Sequence, residues 1–196
     1  MMLRGFLLTL LTVLAGLLGG CAMQPPAPPV TSVALNDAPL PAFSIDGRLA
    51  MHAGKDSGQM SLHWRHTPQG DTVELYSPLG QTLGRLTRDA SGASLTDSSQ
   101  HTYYAHTLDS LSRQRLGWSL PFDGLADWVS GAAVPQQPYE VQRHAADAPL
   151  QMQQSGWTVT YLRWRMVGDR RLPDRIDLVG DGVRARLLVS QWQVDP

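Results

Sequence analysis

The sequence predicts a mainly β fold, in which about ten short strands form an antiparallel sheet that is curled or partly closed into a barrel. Three features favour this fold class. Apolar and polar residues alternate in many short runs, turn signals separate the runs, and one interval between two blocks of runs has helical spacing instead. A curled sheet of this size encloses more volume than its side chains fill, so short helices across one opening would form a lid over an apolar cavity.

The first residues of the chain have the features of an export signal. Arg4 precedes an apolar run from Phe6 to Leu18, which is short for a membrane-spanning helix. The run ends in Leu18-Gly19-Gly20-Cys21, and Cys21 is the single cysteine of the chain. These residues resemble the lipobox of bacterial lipoproteins, where the cysteine is diacylated before a peptidase cuts in front of it. We therefore predict a signal peptide over residues 1–20 and a lipidated Cys21; an ordinary secreted protein with a spare thiol is the alternative.

Residues 21–41 are predicted to form the lipidated cysteine and a tether. The segment after Cys21 contains six prolines and almost no charge, so it resembles a semi-rigid spacer. At roughly 3.1 Å per residue it would span up to about 60 Å. Ala22 follows the cysteine, whereas an aspartate there commonly retains lipoproteins at the inner membrane. We therefore expect a bacterial protein anchored to the periplasmic face of the outer membrane, with a folded domain over residues 42–196.

The β prediction for this domain depends on residues 59–65, which alternate strictly and place Met60, Leu62 and Trp64 on one face. Similar runs cover residues 72–77, 81–88, 139–143, 157–166, 175–179 and 183–194. Turn signals lie between them at residues 68–71, 89–92, 168–169 and 180–182. Gly180-Asp181-Gly182 is predicted to be a hairpin turn rather than a phosphate-binding loop.

The stretch Ser77-Pro78-Leu79-Gly80-Gln81-Thr82 predicts a β-turn with an apolar residue at its tip. Proline suits the second position of such a turn and glycine the fourth, so Leu79 is the third residue and points outward. Polar residues usually occupy such positions. Leu79 either folds back over the neighbouring strands or enters a lipid surface, and the local sequence leaves both open.

Two short helices are predicted between the two blocks of strands. Residues 107–116 place leucines near helical spacing, and residues 123–130 place Leu125, Trp128 and Val129 at i, i+3 and i+4, with Gly131 as a stop. We predict that one sheet face and this lid contact acyl chains, through Met60, Leu62, Trp64, Leu111, Trp118, Leu125, Trp128 and Trp164. Plain core packing is the alternative for each of them.

The sequence contains no motif that indicates catalysis. It has no nucleophile elbow and no phosphate-binding loop, and His63 and His66 would point to opposite faces of a strand, so no metal site is predicted. No carboxylate pair stands out. The formal net charge is −1 and basic residues form no block, so nucleic acid is not an expected partner. We predict a protein that is not an enzyme and needs no cofactor.

The folded domain resembles the LolB family of outer-membrane lipoprotein receptors, the last component of bacterial lipoprotein sorting. The resemblance is carried by residues 43–50, 58–64, 77–82, 116–121, 125–131, 157–161, 172–173 and 186–192. It implies an unclosed antiparallel barrel of about ten or eleven strands with a helical lid over an apolar cavity. It also implies a monomer that accepts lipoproteins from the periplasmic carrier LolA, binds their acyl chains, and inserts them into the outer membrane with Leu79 as the delivery residue.

The chain departs from the family in one respect, and two other functions are open to it. Relatives often have an amphipathic helix before the first strand, for which Pro39 and Pro41 leave little room. The main alternative function is an outer-membrane scaffold lipoprotein that binds another protein through its sheet. A cavity between sheet and lid would favour the receptor, and a solid core with an external apolar patch would favour the scaffold. A lipid hydrolase would need a nucleophile beside a base, and no such pairing is predicted.

Overall fold

Eleven antiparallel strands form one sheet in the part of the chain that the structure, a computed structural model, describes: residues 34–116, 121–143 and 148–194. The predicted signal peptide, Cys21 and Trp118 lie outside these residues. The strands are β1 (Phe43–Ala53), β2 (Asp56–Thr67), β3 (Gly70–Tyr76), β4 (Thr82–Asp89), β5 (Gly92–Asp97), β6 (Thr102–Ala105), β7 (Tyr139–Gln142), β8 (Leu150–Gln154), β9 (Trp157–Val167), β10 (Arg170–Gly180) and β11 (Val183–Val194).

The strand order is β6-β5-β4-β3-β2-β1-β11-β10-β9-β8-β7, so the first and last strands of the chain pair at the centre of the sheet. β1 pairs with β2 along its whole length and with β11 on its other side. β6 and β7 are the two edges of the sheet, which makes the barrel unclosed. The predicted fold class is therefore confirmed.

Successive hairpins place their turns at alternate ends of the sheet. The turns after β1, β3, β5, β8 and β10 lie at the same end, which we call the tip end because it carries Leu79. In the turn after β10, Asp181 and Gly182 have φ values of 48° and 73°, as a two-residue hairpin of type I′ requires. The predicted hairpin at residues 180–182 is confirmed.

Alternation along each strand produces the core. In β1, for example, alternate residues are buried, namely Phe43, Ile45, Gly47, Leu49 and Met51, and the residues between them face outward. The strands β5, β6 and β8 were not among the predicted runs, and neither was β1, although it alternates in the same way. β5 and β8 each contain few large apolar residues, and β6 is a four-residue edge strand, so their pairing depends on neighbours that local sequence does not reveal.

Two helices connect the two halves of the sheet, close to the predicted positions. Helix α1 (Leu108–Leu116) begins after Thr107, whose hydroxyl accepts a 3.1 Å hydrogen bond from the backbone N–H of Ser110. This helix contacts β4, β5 and β6. Helix α2 (Phe122–Val129) has six buried residues among its eight, so it lies over the core instead of on the surface. Residues 34–42 form no helix before β1.

Candidate functional site

The turn between β3 and β4 exposes Leu79 almost completely. The backbone N–H of Gly80 donates a 2.9 Å hydrogen bond to the carbonyl oxygen of Ser77, which closes a β-turn with Leu79 in the third position. The N–H of Ser77 donates to the carbonyl of Gln81 at 2.8 Å, and Gly80 has a φ of +81°. The side chain of Leu79 is 88% exposed, so it does not cover the neighbouring strands.

A wholly apolar cavity of about 50 Å³ lies between α2 and the inner face of the sheet. Phe122 and Leu125 of α2 line the cavity on the side of the helix. On the sheet side, four of its lining residues are Met60, Leu62, Trp64 and Leu75. The structure thus brings together Met60, Leu62, Trp64 and Leu125, four of the residues predicted to contact acyl chains, and their contact with acyl chains stays a prediction.

Three other predicted cavity residues are described and do not line this cavity. Leu111 is buried on α1, which packs against β4, β5 and β6. Trp128 is 1% exposed at the end of α2, and Trp164 of β9 packs beside Gly131, just after this helix. Trp118 lies outside the described residues.

The end of α2 at Trp128 is held by buried hydrogen bonds, and we call residues 128–131 the hinge. The indole N–H of Trp128 donates to Oε1 of Gln154 at 2.7 Å, and the hydroxyl of Tyr161 donates to the carbonyl of Trp128 at 3.0 Å. Burial raises the pKa of Tyr161 well above its usual range, so its hydroxyl stays protonated and remains a donor.

The hinge also binds the last part of the segment predicted to be a tether. The side-chain amide of Asn36 donates to the carbonyl of Ser130 at 2.7 Å, and Leu40 is buried with its N–H 3.3 Å from Oγ of Ser130. Gly131 has a φ of +85°, and a Cβ there would lie 2.7 Å from the Trp164 ring. Residues 34–41 therefore pack on the folded domain at the point where α2 ends.

The start of α2 is held by more exposed contacts, and we call Phe122 and Asp123 the leading end. The backbone N–H of Phe122 donates to Oδ1 of Asp109 at 3.1 Å. Asp123, whose side chain is 77% exposed, forms a 3.3 Å ion pair with Arg88 of β4. An exposed pair of this kind contributes about 0–1 kcal/mol, so the leading end is the weaker attachment of the lid.

A buried aspartate links Arg88 to the wall of the cavity. Asp71 is 6% exposed and accepts hydrogen bonds at 2.8 Å from the indole N–H of Trp64 and from Nε of Arg88, while Nδ1 of His66 lies 2.8 Å from its Oδ1. Sequence reasoning missed this cluster. The feature that could have revealed this cluster is the register of the β2–β3 hairpin. In this register His66 pairs directly with Asp71, so the two side chains lie on the same face of the sheet.

The environment of Asp71 favours its charged form. Burial opposes ionisation, but the hydrogen bonds from His66, Trp64 and Arg88 outweigh it, so the pKa of the carboxyl lies below its ordinary value. The Asp71 carboxyl consequently binds a proton more readily in the unfolded chain than in the folded chain. The stabilisation that the ionised carboxylate gives to the folded chain is complete above the unfolded pKa of about 3.9, and it is lost as pH falls through the folded pKa.

We expect Asp71→Asn to lower the free energy of unfolding by about 3 kcal/mol at neutral pH, because the partly buried Arg88 loses its counter-charge. The difference from the native chain should shrink as pH falls from about 4 through the lower folded pKa of Asp71, since the native chain then loses the stabilisation that depends on the ionised carboxylate. Urea unfolding followed across this pH range measures both effects. Asp123→Asn is the matched control, and it should change stability by no more than about 1 kcal/mol because its side chain is exposed.

The described residues contain no helix long and apolar enough to cross a membrane. Within residues 34–116, 121–143 and 148–194, no three His, Cys, Asp or Glu side chains come together in a way that could hold a metal ion.

Comparison with known proteins connects this geometry with a family. The family model described as "Outer membrane lipoprotein LolB" matches residues 41–192. An outer-membrane lipoprotein LolB from Chromobacterium violaceum is 34% identical over 94% of this chain and 97% of its own length. Another, from Cupriavidus metallidurans, is 40% identical over 73% of this chain and 72% of its own length.

One solved structure is similar in fold. A DUF1329 family protein from Desulfovibrio piger aligns over 81% of this chain and 87% of its own chain, with a TM-score of 0.53 and 8% sequence identity. At this identity the likeness concerns the fold alone.

Proposed function

The chain belongs to the LolB family of outer-membrane lipoproteins, and on this premise we propose that it accepts lipoproteins from the periplasmic carrier LolA and inserts them into the outer membrane. Cys21 would carry the lipid that anchors it to the periplasmic face of that membrane. The acyl chains of the cargo would enter the space between α2 and the sheet. The observation that carries this proposal is the wholly apolar cavity under a lid helix.

The size of the cavity requires the lid to move. A cavity of about 50 Å³ holds a few water-sized groups, each of which needs about 10–15 Å³ on this measure, and not a whole acyl chain. Accepting cargo must therefore separate α2 from the inner face of the sheet. Because the hinge is held by buried hydrogen bonds and the leading end by an exposed ion pair, we propose that α2 lifts at Phe122 and turns about Gly131.

The position of the cavity suits delivery through the tip end of the sheet. Leu75, a cavity residue, precedes Leu79 by four positions on the strand that leads into the turn. A leucine that enters the membrane interface gains roughly 1.5–3 kcal/mol. That is too little to anchor a protein already held by a lipid, but it would orient the tip end toward the bilayer and shorten the passage of acyl chains through water.

A transfer assay tests the receptor function directly. Carrier loaded with a triacylated lipoprotein is mixed with the mature chain bearing Cys21→Ser, and the two proteins are then separated. We expect the cargo to leave with the Cys21→Ser chain. Cargo that stays on the carrier, together with stable binding of the empty carrier or another protein to the sheet, would instead indicate the scaffold function.

Cys21→Ser should also release the protein from membranes without impairing cargo binding. A diacylglycerol and an amide-linked acyl chain bury many CH₂ groups in the membrane, and each contributes about 0.8 kcal/mol of binding free energy. The native anchor is therefore effectively permanent, and a chain without it should leave the membrane completely. Membrane fractionation measures the release. A folded, released chain that accepted no lipoprotein would show that the anchor takes part in cargo binding, which contradicts a separate tether.

A further inference from the structure

A basic groove crosses the outer face of the sheet, on the side opposite the apolar cavity. It has a volume of about 660 Å³, and its lining includes Arg48, Arg175 and Arg186 together with Leu188 and Pro78. No acidic residue is among its described lining residues. Arginines that line a groove with no carboxylate among its other lining residues are typical of a site for an anion.

The register of the sheet explains how these side chains meet. Arg48 of β1 pairs with Leu188 of β11, and Leu188 pairs in turn with Arg175 of β10. The two arginines therefore stand two strands apart, at about 10 Å, on the same face of the sheet. Leu188 lies between them and is 37% exposed, so the floor of the groove is apolar and its two sides are cationic.

Two of the three charges in the groove are not neutralised by a neighbouring carboxylate. Arg186 forms two hydrogen bonds with Asp177, at 2.6 and 2.5 Å. The described residues contain no ion pair for Arg48 or Arg175. Nε of Arg175 is moreover buried and has no hydrogen-bond partner in this part of the chain. A buried donor left unpaired is unfavourable, and a turn of the Arg175 guanidinium that places this donor on an oxygen of a bound anion would supply the missing hydrogen bond.

The groove adjoins the turn that exposes Leu79. Pro78, the residue before Leu79, is part of the groove lining, so a surface that Leu79 enters would come close to the arginines as well. The apolar tip and the cationic groove are then two parts of one membrane-facing surface. Arginine suits phosphate oxygens because its planar guanidinium can donate two parallel hydrogen bonds.

We propose that Arg48 and Arg175 bind the phosphate groups of phospholipid headgroups while Leu79 enters the bilayer, which fixes the orientation of the tip end on the membrane. This inference rests on the proposed function, since it takes Leu79 as the delivery residue. It adds the ligand class, a membrane phosphodiester, and the side chains that recognise it.

Vesicle binding by the mature Cys21→Ser chain tests the proposal, because removal of the lipid makes the contribution of the surface measurable. The vesicles contain phosphatidylcholine with or without phosphatidylglycerol. We expect Arg48→Gln with Arg175→Gln to weaken binding to the anionic vesicles at least tenfold, since each arginine near such a surface contributes about fivefold. Arg48→Gln alone alters one exposed side chain and should weaken binding about fivefold, which provides a test if the double variant folds poorly.

The matched control is Arg65→Gln with Arg170→Gln, which removes the same charge from two exposed arginines that lie at the end of the sheet opposite the tip end and do not line the groove. This pair should change vesicle affinity less than threefold at moderate salt, because charges away from the contact are screened. An equal loss in the control and the groove variant would overturn the proposal in favour of general charge attraction.

Three further results would each overturn the groove proposal. If the groove variant bound vesicles normally while Leu79→Glu did not, the groove would have no part in membrane contact and the delivery role of Leu79 would stand. If the groove variant lost only binding of inorganic phosphate, measured by ³¹P NMR, the site would serve a soluble anion instead. If it bound vesicles normally but no longer took cargo from the carrier, the groove would bind an acidic protein surface.

Discussion

Leu79→Glu is expected to give a stable, lipid-anchored protein that accepts cargo from the carrier but inserts it poorly into membranes. The substituted side chain lies at an exposed turn and packs against little, so the free energy of unfolding should change by about 0.5 kcal/mol or less. A carboxylate resists entry into the interface, which removes the contribution of the tip. Transfer of a lipoprotein from the carrier and its later appearance in vesicles should be measured separately in the same sample.

Met166→Glu is the matched control for this variant. Met166 is 62% exposed on β9, near the turn that leads into β10 at the end of the sheet opposite Leu79. The same change of an apolar residue to a carboxylate there should leave both steps intact. Leu79→Phe and Leu79→Ile should also remain active, because they keep an apolar tip. Normal insertion by Leu79→Glu, or a large loss of folding stability, would rule out the delivery role.

Leu125→Gln is expected to reduce cargo uptake by roughly five- to 150-fold among folded molecules. Leu125 is the middle of the lid and lines the cavity, so its replacement places an amide where acyl chains would lie. Burying an amide without a hydrogen-bond partner costs roughly 1–3 kcal/mol. This cost weakens the binding of acyl chains by about the same amount. The buried amide should also lower the free energy of unfolding by about 2 kcal/mol. Uptake should be normalised to the folded fraction, which is obtained from a thermal unfolding curve.

Leu111→Gln separates cavity contact from general loss of packing. Leu111 is a buried leucine of the other lid helix that does not line the cavity, and the substitution is chemically the same. It should destabilise the fold to a similar extent while leaving uptake per folded molecule close to native. If the two variants lost uptake equally, the cavity residues would have no special role in binding acyl chains.

The sequence by itself determined the features that depend on residues close together in the chain. Alternation over residues 59–65, the turn chemistry of Pro78 and Gly80, and the helical spacing of Leu125, Trp128 and Val129 are local patterns, and the structure contains each of them. A strand or a tight turn has few conformations open to it, so its residues suffice to predict it. This is why the position of Leu79 at the tip of a turn could be predicted before any tertiary contact was known.

Only the tertiary structure decided which large apolar residues share a cavity. Trp64 and Trp128 are equally plausible cavity residues in the sequence, yet Trp64 lines the cavity while Trp128 is hydrogen-bonded to Gln154 at the hinge. The partner of an indole N–H can be any residue that the fold brings near, and Gln154 lies on a strand the sequence did not predict. Burial was predictable for both side chains, but their roles were not.

The polar sites depend even more on register between distant strands. Asp71 meets Arg88 because β3 pairs with β4, and Arg48 meets Arg175 because the first strand pairs with the last, which in turn pairs with β10. A shift of one residue in any of these pairings would move an arginine to the other face of the sheet. Alternation specifies the two faces of each strand, whereas the neighbours across the sheet are set by the packing of the whole barrel.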